Sequence, residues 1–237
     1  MGITAFSGKA QVIQYTDVSP DVTVTPGGFY EVDMDNDLMG EFLLWVVEIS
    51  GTYGSTFISG YQAAVMPWSA GNSVLIYDYY GYPRPEALNS GSWVSASQSM
   101  SSNSGYGWLL AQSLVMSGSY TFGGGAFQGL NDGYIGVRFD IGSQLHYGWI
   151  RIDIPDEANR IIVKDYAYHS VATREIQAGQ TSVGIAEDGE LAFSVQQTAN
   201  NIQVVWSNEQ ATVSLYDLQG NLVKETSGVA NAQITTE

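Results

Sequence analysis

The sequence predicts an all-β protein, and three observations carry that reading. Apolar and polar residues alternate along several segments, most cleanly over 134–168. The 27 glycines, with abundant Ser and Asn, supply turns, while 15 tyrosines, six tryptophans and the β-branched residues fill strands. No stretch sustains a helical period over three turns with caps at its ends. The expected architecture is a β-sandwich or jelly-roll-like main domain at 1–178, a linker at 179–186, and a small immunoglobulin-like β-sandwich at 187–237.

The elements follow in order. "AQVIQYTDVSPDVTV" (10–24) alternates and meets the turn "TPGG". Residues 28–35 form a second strand that runs into an acidic loop. "EFLLWVVEIS" (41–50) is apolar nearly throughout, the pattern of a strand covered on both faces. "NSVLIYDYYGY" (72–82) is another strand. From Asn89 to Asp132, Ser and Gly dominate, which predicts long surface loops pinned to the core by Trp93 and Trp108. Residues 134–168 predict an antiparallel meander, with "GSQ" and "PDEAN" as its turns. Arg138, Arg151 and Lys164 face Asp140, Asp153 and Asp165 on its exposed side, in pairs that contribute only about 0–1 kcal/mol each. Composition then shifts at "IQAGQTSVGIAEDGE" (176–190), a linker into a unit of short strands near the lower size limit for independent folding.

Eight basic residues stand against 24 acidic ones, a net charge of −16. Such a surface repels phosphate, which argues against nucleic acid as a partner, and it attracts divalent cations. There is no cysteine, hence neither a disulfide nor a thiolate metal site. No apolar run approaches the roughly 20 residues of a membrane span, so none is expected. Met1 is followed by Gly2-Ile3-Thr4 with no basic and apolar leader; the expectation is a signal peptide absent from this chain, or removed and replaced by an initiator Met.

The acidic loop is the first candidate site. Asp33, Asp35 and Asp37 alternate, and Glu41 lies four further on. Calcium takes six to eight oxygen ligands, and a tight loop with acids at positions 1, 3, 5 and 9 and a carbonyl at 7 would wrap it. Those positions are Asp33, Asp35, Asp37, Glu41 and the carbonyl of Met39. Position 6 usually needs Gly for a left-handed turn and is Leu38 here; position 12 is Leu44, which rules out an EF-hand. Two readings stay open: a short calcium loop between strands, or a solvated acidic turn in which Asp33 and Asn36 bond the local backbone. Crowded carboxylates repel unless a cation or protons neutralise them.

Aromatic residues form the second candidate. Tyr53, Tyr61, Trp68, Tyr79, Tyr80, Tyr82, Trp93, Tyr106 and Trp108 fall in or beside predicted loops, with "YDYYGYPRP" (77–85) the best exposed cluster. Tyr79, Tyr80, Tyr82, Trp93 and Trp108 either stack on sugar rings or anchor a protein partner, or else cap the ends of the core. His146 and His169 read as packed strand residues. No Gly-x-Ser-x-Gly elbow supports nucleophilic catalysis, and "TFGGGAF" (121–127) reads as a bend, not a nucleotide loop. The abundance of acids leaves a carboxylate-based glycoside hydrolase as an alternative without a recognisable site.

"VSLYDLQGNLVKE" (213–225) resembles the C-terminal sorting domain of type IX secretion cargo in Bacteroidota, through Tyr216, Asp217, Leu218, Gln219, Gly220, Leu222 and Val223, with "NNIQVVW" upstream. The resemblance covers about 187 to the end. That family continues with a Gly-aromatic strand pair, whereas this sequence stops at "ITTE", so the sorting domain is expected to lack its last part. The block "YIGVRF…HYGWIRIDI…IIVKDYAYHS…IQAG" is similar to a module of uncharacterised exported proteins in Bacteroidota and other bacteria, and implies no activity. Together these imply a secreted or cell-surface protein handled by the type IX machinery. Its expected role is non-catalytic, structural or adhesive, with self-association or a surface glycan as the further partner. The alternative is a calcium-assisted carbohydrate-binding module.

Overall fold

The structure, a computed structural model, describes residues 2–3, 13–69, 71–102, 107–117, 120–182, 194–197, 201–216 and 222–235. Every regular element among them is a β-strand. The protein is all-β and built of antiparallel sheets. It divides into two compact units, one of residues Gln11–Ser182 and one that joins Met1–Ala10 to Val183–Glu237.

In the larger unit, one sheet has the strand order Met100–Ser101, Ser73–Tyr79, Leu130–Ile141, Gln144–Ile154, Ile161–His169, Ile13–Val24; Tyr82–Pro85 and Ala87–Leu88 pair at its side. The meander expected at 134–168 is its centre. The turns fall where the sequence placed them: Gly142 and Ser143 both take positive φ in the first, and Pro155–Ala158 closes the second with a 2.9 Å backbone bond. The other sheet runs Tyr120–Gly124, Trp108–Met116, Thr56–Pro67, Phe42–Tyr53, Phe29–Val32. Two corrections follow. The stretch 89–132 is not mainly loop, since Trp108–Met116 and Tyr120–Gly124 are strands and Trp93–Val94 is a short one. Thr56–Pro67, unread in the sequence, is the central strand of the second sheet and contains Tyr61.

One apolar cluster draws on both sheets: Phe42, Leu44, Val46 and Val65 from the second meet Ile135, Phe139, Ile150 and Ile152 from the first, all at most 1% exposed. Phe42 packs edge-on to Phe139 at 6.4 Å between ring centres. Burial of each such side chain contributes roughly 1.5–3 kcal/mol. The histidines are structural: His146 Nδ1 lies 2.8 Å from the His169 carbonyl, and the Val171 N–H donates to His169 Nδ1.

The ion pairs of the meander differ from the surface pairs expected. Asp165 is 2% exposed, and it accepts from Arg151 Nε (2.8 Å) and from the Tyr15 hydroxyl (2.9 Å). Lys164 bridges Asp132 (2.8 Å) and Asp153 (2.7 Å). A register shift between Val163 and Asp165 breaks strict alternation, and Asp165 lies on the face of its register partner Arg151, away from the core cluster, where Arg151 and Tyr15 bond it. Losing Arg151 would leave a buried carboxylate unpaired, at about 3–5 kcal/mol. The outermost strand of this sheet, Ile13–Val24, carries Pro20 and exposed Asp17 and Asp21.

In the smaller unit, Asn201–Tyr216 pairs with Leu222–Thr235 on one side and with Ser194–Gln197 on the other, and Gly2–Ile3 also pairs with it, at Tyr216 and Leu215. Asp217, Leu218, Gln219 and Gly220 of the sorting-domain resemblance lie outside the described residues.

Gly148 shows how tightly the sheets are fitted. A Cβ there would lie 2.7 Å from the Ala167 carbonyl oxygen and 2.8 Å from Cε of Met34, which is itself 1% exposed. Gly148→Ala should therefore destabilise by about 1–3 kcal/mol. Combined with Met34→Ala the loss should be less than the sum of the two single changes, as a double-mutant cycle by chemical denaturation would show.

Candidate metal centre

The acidic loop is the hairpin connection between Phe29–Val32 and Phe42–Tyr53. Val32 and Phe42 are its last paired residues, and the Glu41 N–H donates to the Val32 carbonyl at 2.9 Å. Met34 anchors the loop in the core, whereas Leu38 and Met39 are 94% and 69% exposed. The chain thus dips into the core at Met34, rises into solvent, and returns at Glu41.

Within that path the carboxylates turn inward on the backbone. Asp33 accepts from the N–H groups of Asp37 (3.2 Å) and Leu38 (2.9 Å), Asp35 from Asp37 (3.2 Å), and Asp37 from Met39 (2.8 Å). Glu41 accepts from the Met34 N–H at 2.6 Å. Asn36 and Leu38 take φ of +61° and +74°. Leu38 therefore adopts the left-handed turn for which glycine is usual, at a strain of roughly 1–2 kcal/mol. The residue that breaks the calcium-loop pattern in sequence keeps it in backbone.

Asp33, Asp35, Asp37 and Glu41 each bring a carboxylate oxygen within 4.8 Å of the others. Such a group could hold a metal ion, supplying four of the six to eight oxygens that a cation of calcium's size takes. Met39 contributes its N–H to Asp37 and lies in the same loop. The carbonyl of Glu41 is engaged elsewhere, accepting from the Trp68 N–H (2.8 Å) and Asn72 Nδ2 (3.0 Å), which fixes the end of the loop against the next strand.

The proximity has an electrostatic signature. Glu41 is 8% exposed, and burial pushes its carboxyl up to about 7; the Met34 N–H opposes the rise, and the charges of Asp35, Asp33 and Asp37 add to it. Asp35 is also raised, by burial and then by Asp37. Burial pushes the Tyr166 hydroxyl up to about 12, with smaller contributions from Tyr30, Asp33 and Glu41, so the negative field reaches the core beneath.

The aromatic candidates separate. Tyr79, Tyr80 and Tyr82 stand together at the hairpin tip between Ser73–Tyr79 and Tyr82–Pro85, 46%, 88% and 71% exposed. Tyr80 and Gly81 both have positive φ, and Asp78 accepts from the Gly81 N–H at 2.6 Å. Tyr79 meets Tyr80 edge-on at 5.0 Å, and the Arg84 guanidinium lies 4.7 Å over the Tyr79 ring. Trp93 is half-exposed on a separate strand pair with Ile176–Gln177. Trp108 is packed against the core with its indole nitrogen buried, so it is a core-edge residue and not a surface platform. Tyr106 lies outside the described residues, and Tyr53 is at a strand end. An open polar groove lined by Ser113, Thr121, Gln128, Asp156 and Glu157 was not foreseen, because its residues come from segments that only the fold brings together.

No family model matches the chain, and no curated protein or solved structure does so. No helix among the described residues is long and apolar enough to cross a membrane.

The raised Glu41 carboxyl makes stability depend on pH. Its folded value lies above the ordinary 4.5, so the native state holds a proton that the unfolded chain has released. In chelator, that contribution should be fully present below about pH 4.5 and lost as pH rises through about 7, a change of roughly 1–3 kcal/mol. His169, lowered by burial, acts in the opposite sense, losing stability as pH falls below its ordinary 6.5. The difference between wild type and Glu41→Gln, measured by urea denaturation across pH 4–8, isolates the carboxyl.

Proposed function

We propose that the chain is a non-catalytic module of an exported, cell-surface or extracellular protein, with a structural or adhesive role and a calcium ion bracing its acidic hairpin. The larger unit is read as a β-sandwich of jelly-roll-like form. The smaller is read as an immunoglobulin-like sorting domain addressed to the type IX secretion machinery, a reading supported by the pattern at 213–225. The observation that carries the calcium reading is the meeting of four carboxylates within 4.8 Å on a loop anchored at both ends in the core. A divalent cation there replaces mutual repulsion with attraction and locks the connection between two strands. The reading as non-enzymatic rests on the sequence, which offers neither a nucleophile elbow nor a cysteine.

Calcium binds the ionised loop, so it competes with the proton on Glu41. Added Ca²⁺ should raise the melting temperature, by an amount corresponding to about 2.7 kcal/mol at a hundredfold excess over its dissociation constant. The rise should be larger at pH 8 than at pH 5.5, and Asp35→Ala should abolish it. Identical melting of the wild type in Ca²⁺ and in EDTA would reduce the loop to an acidic turn.

A second reading, a carbohydrate-binding module, is favoured by the tyrosine hairpin. Tyr80 accepts a left-handed backbone, rare for a bulky residue, at the most exposed point of a fixed turn. On this reading a glycan array gives a signal that Tyr80→Ala lowers at least tenfold while the melting temperature stays within a few degrees. An array blank for the wild type removes it.

A further inference from the structure

The strand Phe42–Tyr53 is apolar on both faces, yet the core accounts for only one of them. Phe42, Leu44 and Val46 point into the shared cluster. Leu43, Trp45, Val47 and Ile49 alternate with them, are half-buried, and do not belong to that cluster. The register extends this second face across the sheet: Met66 lies opposite Leu43, Ala64 opposite Trp45, and Leu109 beside Ala64. At one end the backbone at Gly107 lies against Trp45, where a Cβ would run into the indole. An antiparallel sheet with one face on a core ordinarily turns polar side chains outward. Here Glu31, on the outermost strand, is the only charged residue at the outward positions of the five strands among the described residues.

We propose that the outward face of this five-stranded sheet is a homodimer interface, with the same face of a second copy as its occupant. Size and charge both point to a second copy. Five strands about 4.8 Å apart make a face about 24 Å wide, and the seven residues from Leu43 to Ile49 span about 23 Å, which gives roughly 550 Å² per copy. Two copies together bury about 1,100 Å², just below the usual range of stable specific interfaces and above that of most incidental contacts. Each copy carries a net charge of −16, so copies repel over most approaches. At the edge formed by Gly124 and Gln112 the Arg84 guanidinium reaches this face. Away from that edge and from Glu31 it carries no charged side chain among the described residues of its strands, and there two copies can meet without placing like charges in contact. A two-fold arrangement makes the contact self-complementary, and two sheets pack face to face at about 10 Å, the spacing of ordinary sheet layers.

This deepens the structural role proposed above, and the calcium and glycan measurements test that role separately. Sedimentation of the full chain from about 1 to 200 µM should give a monomer–dimer equilibrium with half-dissociation on the order of 10 µM. Added NaCl should tighten it by screening the repulsion. Val47→Glu should raise the half-dissociation concentration at least tenfold and keep a cooperative melting transition, whereas Tyr80→Ala should leave association unchanged. Should Val47→Glu not fold, cross-linking decides. The chain has no cysteine, so Gln62→Cys on the central strand introduces the only thiol, and a short bismaleimide should capture a dimer. A wild type monomeric throughout, a dimer that persists in Val47→Glu, association that weakens with salt, or no cross-link at Gln62→Cys would each overturn the proposal.

Discussion

Side chains from two sheets meet in a single apolar cluster, and the placement of nearly everything else in the larger unit follows from that meeting. Because Phe42 and Leu44 must point inward, Glu41 is drawn to the edge of the core, where water is scarce. Because Met34 fills the space left by a residue with no side chain at Gly148, the acidic loop it belongs to is pinned from beneath. The hairpin connection has two buried anchors and an exposed middle. Its carboxylates converge because the backbone between the anchors has nowhere else to go.

That convergence explains the chemistry of the loop without a special motif. Asp33, Asp35 and Asp37 satisfy backbone N–H groups that a nine-residue turn would otherwise leave bare. Glu41 does the same for Met34 from a buried position, and burial is the largest reason its carboxyl is pushed up to about 7. Packing geometry and electrostatics are therefore one arrangement: the contacts that fold the turn are those that crowd the charge. The Arg151–Asp165–Tyr15 contacts on the other sheet are the contrasting case, a buried carboxylate kept in place by a cation from the chain itself.

Much of this was legible in the sequence. The meander at 134–168 shows because its first two strands alternate and its turns hold Gly-Ser and Pro-Asp, while the shift between Val163 and Asp165 interrupts the period only in its last strand. The acidic loop shows because its spacing is regular, although Leu38 argued against a tight turn and the sequence does not reveal that Leu adopts glycine's backbone there. Two strands were hidden. In Trp108–Met116 the register slips between Leu109 and Ala111, so adjacent Leu110 and Ala111 are both buried and the period of two is lost. In Thr56–Pro67 the small residues Gly60, Ala63 and Ala64 flatten the pattern; at Gly60 the neighbouring strand leaves no room for a side chain, since a Cβ would run into the Ser113 carbonyl oxygen. The pairing of Gly2–Ile3 with Asn201–Tyr216 joins residues some two hundred positions apart, a contact that no local pattern encodes.

The rim of the larger sheet has a consequence for supramolecular order. Its outermost long strand interrupts its own row of amide donors at Pro20 and flanks it with the carboxylates of Asp17 and Asp21. The second sheet ends on short segments of four and five residues, one of them closing on paired glycines. A passing chain finds no continuous ladder to extend, so lateral growth stops before it starts. Amyloid-like fibrillation through these borders is disfavoured, and the unit is suited to existing as discrete, countable particles even at high local density.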